Sequence, residues 1–158
     1  MAEIIIRPAV ADDIPRLEAL LYQVHALHAA GRPDLFRPGC KKYTADQLRN
    51  ILADTEHTPV FVADADGVVA GYCFCIHQEQ TSASMQPITT LYVDDLCVDE
   101  RMRGRGIGGA LYRHAVAYAR QHGYHNLTLN VWSCNPTAMA FYEKCGLAVQ
   151  KVGMELIL

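Results

Sequence analysis

Residues 91–111 read LYVDDLCVDERMRGRGIGGAL. The first eight are apolar and β-rich, as a strand is. A polar turn follows, carrying Arg103, Arg105 and four glycines, and a helical pattern opens at Ile107. Glycine lets the backbone approach a ligand closely, and the first N–H groups of a helix have no acceptor of their own. Together they make an anion site, most often for phosphate. The rest of the chain reads as support for this turn or as the wall facing it.

With 158 residues the chain is long enough for one well-buried core, so residues 1–158 are read as a single domain. About half the residues are hydrophobic and a fifth charged, a globular balance. A net charge of −3 argues against a general nucleic-acid binder, whose footprint is basic. The start, MAEIIIRPAVADD, lacks the apolar core of a signal peptide, and no apolar run reaches membrane-span length. No membrane partner is therefore expected, and the cytoplasm is the default location. The six cysteines form no C-x-x-C pair and read as reduced thiols. No metal site is indicated: His25 and His28 share a helical face but have no ligand cluster beside them.

Upstream of the quoted stretch, Glu3–Arg7 reads as a strand ended by Pro8. A helix capped by Asp12 or Asp13 follows and runs to Gly31 and Pro33. The loop GRPDLFRPGCKKY is irregular and carries Phe36, which serves either as a substrate wall or as a plug for the core. Thr44 caps a second helix. VFVAD and VVAGYCFCI flank an Asp-Gly turn, the signature of a hairpin. HQEQTSASMQP reads as a surface loop. Downstream, Ile107, Leu111, Val116 and Tyr118 mark a helix, and NLTLNVW reads as a strand. Asn135-Pro136 opens a short helix ended by Gly146, and LAVQKVGMELIL supplies one or two closing strands.

The glycines match G-x-G-x-x-G, but the dinucleotide reading fails because nothing acidic lies about 20 residues on. The ATP-type loop fails because no Gly-Lys-Ser/Thr follows. A glycine-rich corner without a ligand is the remaining plain alternative, and it leaves Arg103 and Arg105 beside the helix start unexplained.

Arg103-Gly104-Arg105-Gly106-Ile107-Gly108 resembles the R/Q-x-x-G-x-G/A motif of the GNAT N-acetyltransferase superfamily, which also lies between a strand and a helix. NVWSCNPTAMAFYEKCGL is similar to that family's N-x-x-A-x-x-F-Y-x-x-x-G-F segment. Asn135, Ala138, Phe141, Tyr142 and Gly146 fall in place, and Leu147 stands where Phe is usual. The resemblance implies an α/β (α+β) fold, with a mixed, mostly antiparallel sheet flanked by about four helices. It implies acetyl transfer from acetyl-CoA, the co-substrate, to a primary amine of a small molecule or protein, by direct attack in a ternary complex. A catalytically silent acyl-CoA-binding module is the alternative.

The same resemblance assigns the CoA pyrophosphate to Arg103, Gly104, Arg105, Gly106, Ile107, Gly108 and Gly109, and the pantetheine arm to Leu96, Cys97, Val98 and Asn135. Tyr142 becomes the acid that protonates the departing thiolate. In the family a base or amine anchor often comes from the central strand, where Tyr92 and Asp94 stand here; Asp94 is favoured. Strand alternation puts Tyr92 and Asp94 on one face and Asp95 on the other, unless a bulge changes the phase. Phe36, Tyr92 and Asp94 are expected to face the acceptor, with His28, Arg32, Tyr43 and Tyr72 as further wall. Arg32 and Arg37 suit an acidic acceptor and the aspartates a basic one, so the acceptor class stays open. Domains of this family often dimerise through their terminal strands, which makes a homodimer an expected state.

Overall fold

The computed structural model describes residues 3–158. Met1 and Ala2, part of the span read as one domain and of the stretch read as lacking a leader's apolar core, lie outside the described residues. Five strands form one sheet in chain order: β1 (Ile4–Pro8), β2 (Val60–Ala65), β3 (Val68–Glu79), β4 (Thr89–Val98) and β5 (Asn126–Leu129). The first three pairings are antiparallel, and β4 with β5 is parallel. Four helices flank them: α1 (Ile14–Gly31), α2 (Ala45–Ala53), α3 (Ile107–Gln121) and α4 (Pro136–Lys144). This is the mixed, mostly antiparallel architecture expected.

The caps explain the helix limits. Asp13 precedes α1, where its carboxylate accepts from the Val10 amide at 2.8 Å, and Pro15 occupies the first turn, which needs no N–H. Thr44 and Gln47 form a capping box at α2. Asp66 and Gly67 both have positive φ (52° and 86°), as the tight β2–β3 hairpin turn requires. The sheet carries a core on each face. On one side α3 presents Ile107, Leu111, Ala115 and Ala119 to Phe61, Cys73, Leu91 and Val93; on the other, Leu17, Leu20 and Leu21 of α1 and Leu48 of α2 meet Val62, Tyr72 and Phe74.

Three expectations are corrected. β3 continues through His77–Glu79, read as loop, because β4 supplies backbone partners as far as Glu79↔Thr89. Asn130–Trp132, read as strand, leaves the sheet after Leu129. From Leu147 to Leu158 the chain forms no strand, and Val149, Val152, Met154, Leu156 and Leu158 are exposed. Strand propensity measures fit to a half-buried pleated surface. Within this chain the tail meets polar groups instead: Glu155 pairs with Arg32, and Gln150 and Lys151 border Tyr92 and Asn130. No helix among the described residues is long and apolar enough to cross a membrane.

Gly71 sets the spacing where β3, β4 and α3 meet. A Cβ there would lie 2.7 Å from the Cys97 carbonyl oxygen and 3.3 Å from Leu111 Cδ1. Neither backbone nor core can yield cheaply, and overpacking of this kind costs about 1–3 kcal/mol. Gly71→Ala should lower the thermal midpoint by several degrees, measured by calorimetry against wild type.

Candidate active site

A β-bulge organises the site. Phe74 pairs with Asp95 and Cys75 with Val93, so Asp94 is the extra residue on β4. The inserted residue shifts the phase of the strand. Asp94 and Asp95 consequently both reach tyrosines of the α1–α2 side, not opposite faces as simple alternation predicts.

Their surroundings differ. Asp94 accepts from Tyr43 Oη and is ion-paired with Lys42, whose Nζ lies 2.8 Å from Oδ1. Lys42 and Tyr43 come from the α1–α2 connection, so Asp94 clamps that loop to the sheet. Asp95 accepts one hydrogen bond from Tyr72 Oη at 2.8 Å and has no ion pair among the described residues. Although Asp95 as a residue is half-buried, its carboxyl is enclosed by protein, and burial pushes it up to about 6 against the pull of the Tyr72 hydrogen bond.

Beside the bulge the sheet opens. β4 and β5 pair from Thr90↔Asn126 to Val93↔Leu129 and no further. The backbone of β4 from Asp94 to Val98, which includes Leu96, Cys97 and Val98, therefore has no strand partner on the β5 side. Cys97 itself is buried, its Sγ 3.7 Å from the Leu20 carbonyl oxygen, and burial pushes the thiol up to about 12.

The end of β4 is fixed by Asp99. This buried carboxylate pairs with Arg16 of α1 and accepts from the Arg101 amide at 3.0 Å. The sequence reading missed it; its position at the junction of strand and turn is the signal that could have found it. The glycine turn follows, with Gly104 and Gly106 at φ 78° and 76°, and Gly106 caps α3 in the left-handed region. Arg103, Gly104, Arg105 and Gly106 are exposed, while Ile107 anchors the turn in the core. The first-turn amides of Ile107, Gly108 and Gly109 have no helical acceptor and share the positive end of the α3 dipole. Arg103 Nε folds back to the Val98 carbonyl at 3.4 Å.

α4 closes the other side. Asn135 Oδ1 accepts from the Ala138 amide at 3.1 Å, leaving its side-chain N–H groups without a partner among the described residues. Gly108 stacks close under Phe141: a Cβ at Gly108 would lie 3.4 Å from Phe141 Cζ. The neighbouring Tyr142 is half-buried, and its phenol is raised well above its ordinary value, by burial first and then by Cys73 and Asp95.

Phe36 forms part of an aromatic strap. Its ring lies 5.3 Å from Trp132, 5.1 Å from His28 and 5.7 Å from His25, centroid to centroid, joining the α1–α2 loop to the segment that leaves β5. His25 Nε2 also holds the Arg37 carbonyl at 2.6 Å. Of the two readings of Phe36, packing is the one these contacts describe, although the ring lies among loop and helix-edge side chains and not in either core. Tyr92 Oη accepts from Asn130 Nδ2 at 3.2 Å, just below the point where the strands part. The structure therefore places Tyr92, Asp94 and Leu96–Val98 along β4, the glycine turn directly after it, and Asn135 and Tyr142 on α4, which approaches the turn where Phe141 meets Gly108. Lys42, Asp95 and Trp132 are further neighbours that the sequence did not single out, and Tyr72, expected as acceptor wall, is instead fully buried, where it holds Asp95.

Comparison with known proteins agrees with this architecture. The acetyltransferase (GNAT) family model matches residues 21–147. The structure superposes on a crystal structure of a variant of the BH1408 protein of Bacillus halodurans with a TM-score of 0.92, at 31% identity, covering 98% of this chain and 99% of that one. The 5-NmdU N-acetyltransferase of Pseudomonas phage PaMx11 is 31% identical over 112 residues, 68% of this chain and 73% of the phage protein. Glucosamine 6-phosphate N-acetyltransferase 1 of Oryza sativa subsp. japonica is 38% identical over 65 residues, 41% of this chain; the match spans 38% of the rice protein's length. The match through both helical flanks, the open sheet and the glycine turn makes this chain a member of the GNAT acetyltransferase family.

Proposed function

We propose that the chain is an N-acetyltransferase that moves the acetyl group of acetyl-CoA to a primary amine by direct attack in a ternary complex. One juxtaposition carries the reading. The backbone of β4 from Asp94 to Val98 has no strand partner on the β5 side, and it runs directly into the amide-lined turn that opens α3.

The residues present fit acetyl-CoA. The diphosphate suits the open amides from Arg103 to Gly109, with Arg105 exposed beside them. The unpaired backbone of Leu96, Cys97 and Val98 offers the pantetheine amides a strand-like partner, and Asn135 has side-chain N–H groups to donate. The thioester carbonyl then lies in the gap between Asp95 and Tyr142.

An alkylamine is mostly protonated at neutral pH and cannot attack until it loses a proton. Asp95, ionised above about 6, accepts that proton directly or through water. The amine nitrogen bonds to the acetyl carbon as the carbon–sulfur bond breaks, and the thiolate takes the Tyr142 proton. The sequence favoured Asp94 as the base. Its ion pair with Lys42 and its bond from Tyr43 suit it better to holding the loop. Cys97 does not suit a covalent relay, because a thiol with pKa near 12 stays protonated.

Thiol release from acetyl-CoA, followed against a panel of primary amines, tests the reading. Amine-dependent release supports it, and CoA binding without release to any amine would establish the silent module. Tyr142→Phe should lower kcat by about 10²-fold or more, in line with the loss of an acid catalyst; an unaltered rate across pH removes Tyr142 from the mechanism. Asp95→Asn should abolish the rise of kcat/KM as pH passes about 6, whereas Asp94→Asn should keep that rise and increase the acceptor KM. Gly106→Val, at a left-handed position, should weaken CoA binding at least tenfold in a calorimetric titration.

Asp95 also predicts a stability effect. Burial places the folded carboxyl above its unfolded value, so its contribution is full below pH about 4 and is lost as pH rises through about 6. Ionised at pH 8, it costs the fold about 3 kcal/mol. Asp95→Asn should therefore raise the thermal midpoint by several degrees at pH 8 and leave it nearly unchanged at pH 4.

A further inference from the structure

The acceptor side of the opening contains a second feature, a cleft of about 310 Å³ lined by Gln78, Tyr92, Thr128, Asn130, Gln150 and Lys151. Its volume is at the lower end of the roughly 300–1,000 Å³ typical of small-molecule sites. Tyr92 pairs with Ile76 on one side and Thr128 on the other, and Gln78 lies two residues from Ile76. The floor is thus one face of three neighbouring strands, and Gln150 and Lys151 of the tail form the rim. The cleft abuts the gap: Tyr92 precedes Asp94 by two residues, and Asn130 is the first residue beyond β5.

The lining chemistry is selective. Five of the six residues are neutral amides or hydroxyls able to donate and accept hydrogen bonds, and none is a carboxylate. The nearby acids are already committed: Asp94 to Lys42 and Tyr43, Asp95 to Tyr72 in a buried setting, Asp34 and Glu155 to Arg32. Arg32, which the sequence alone offers as an anchor for an acid, is neutralised by the same pairs. Lys151 has no carboxylate partner among the described residues. A polycationic acceptor finds no free anion here. An anionic group finds Lys151, and hydroxyls find the amides and hydroxyls below it.

We propose that this cleft is the acceptor subsite and that it takes a polyhydroxylated primary amine carrying one anionic group, as an acidic amino sugar does. The inference rests on the acetyl-transfer reading above. The amine points along the floor toward Asp95, and the anionic end rests at the Lys151 rim.

Acceptor kinetics test this with glucosamine 6-phosphate, glucosaminic acid, glucosamine, spermidine and kanamycin at saturating acetyl-CoA. The expected result is a kcat/KM for one or both acidic amino sugars at least tenfold above that for glucosamine, spermidine or kanamycin. The two acidic arms distinguish phosphate from carboxylate. Lys151→Gln should erase that advantage by raising KM tenfold, with kcat retained and glucosamine unaffected. Preference for spermidine or kanamycin, or an advantage that survives Lys151→Gln, overturns the proposal. Calorimetric titration of the two acidic amino sugars into the CoA-bound protein gives a reading independent of turnover. Binding that Lys151→Gln abolishes, in a protein that transfers to no amine, supports the subsite while defeating the transferase reading; no binding of either ligand, in a protein that transfers to other amines, does the reverse.

Discussion

Four parallel rungs join β4 to β5, and the chemistry proposed for this domain depends on their stopping at Val93. A sheet that continued would bury the backbone of Asp94–Val98 in ladder hydrogen bonds and leave no place for a thioester arm. The termination has a local cause on each strand. On β4 a single inserted residue distorts the edge; on β5 the chain turns away at Asn130 toward the Asn135 cap of α4. Unpaired backbone groups are costly where water is excluded, and the proposed ligand is the partner that would satisfy them.

Charge is distributed with the same economy. Asp94, Arg32 and Asp99 are each held in an ion pair that fixes a loop, the tail or the end of β4 before the glycine turn. Asp95 alone is left with a neutral hydrogen-bond donor in a buried setting, which is what places its titration near neutrality. A group poised in this way is less stable than the same site filled by a neutral amide. The role proposed for this residue and its stability pull in opposite directions, as they commonly do where ionisable groups are buried.

Much of this was legible in the chain itself. Caps at Thr44 and Asn135, the Asp66-Gly67 turn and the glycine run carry their own backbone geometry, so most of the element order and the strand-to-helix glycine turn could be read locally. The roles of Asp94 and Asp95 could not, because a bulge is set by the pairing of β3 with β4 and not by either strand's own pattern. Nor could the fate of Arg32, whose partners Asp34 and Glu155 lie two and 123 positions away. The tail misled for a related reason. Its residues have strand propensity, but propensity cannot say whether a partner edge is within reach.

Gly71 has a consequence beyond stability. The atom it lacks is the space that the Cys97 carbonyl and Leu111 occupy, at the foot of the strand segment that borders the gap. Any residue larger than hydrogen here must move β4 or α3 before it can be accommodated, and moving β4 displaces the site. For a lineage exploring new acceptors this position is a fixed point. The exposed stretches of the α1–α2 loop and the tail carry no such constraint, whereas the spacing behind the unpaired segment of β4 tolerates no added atom.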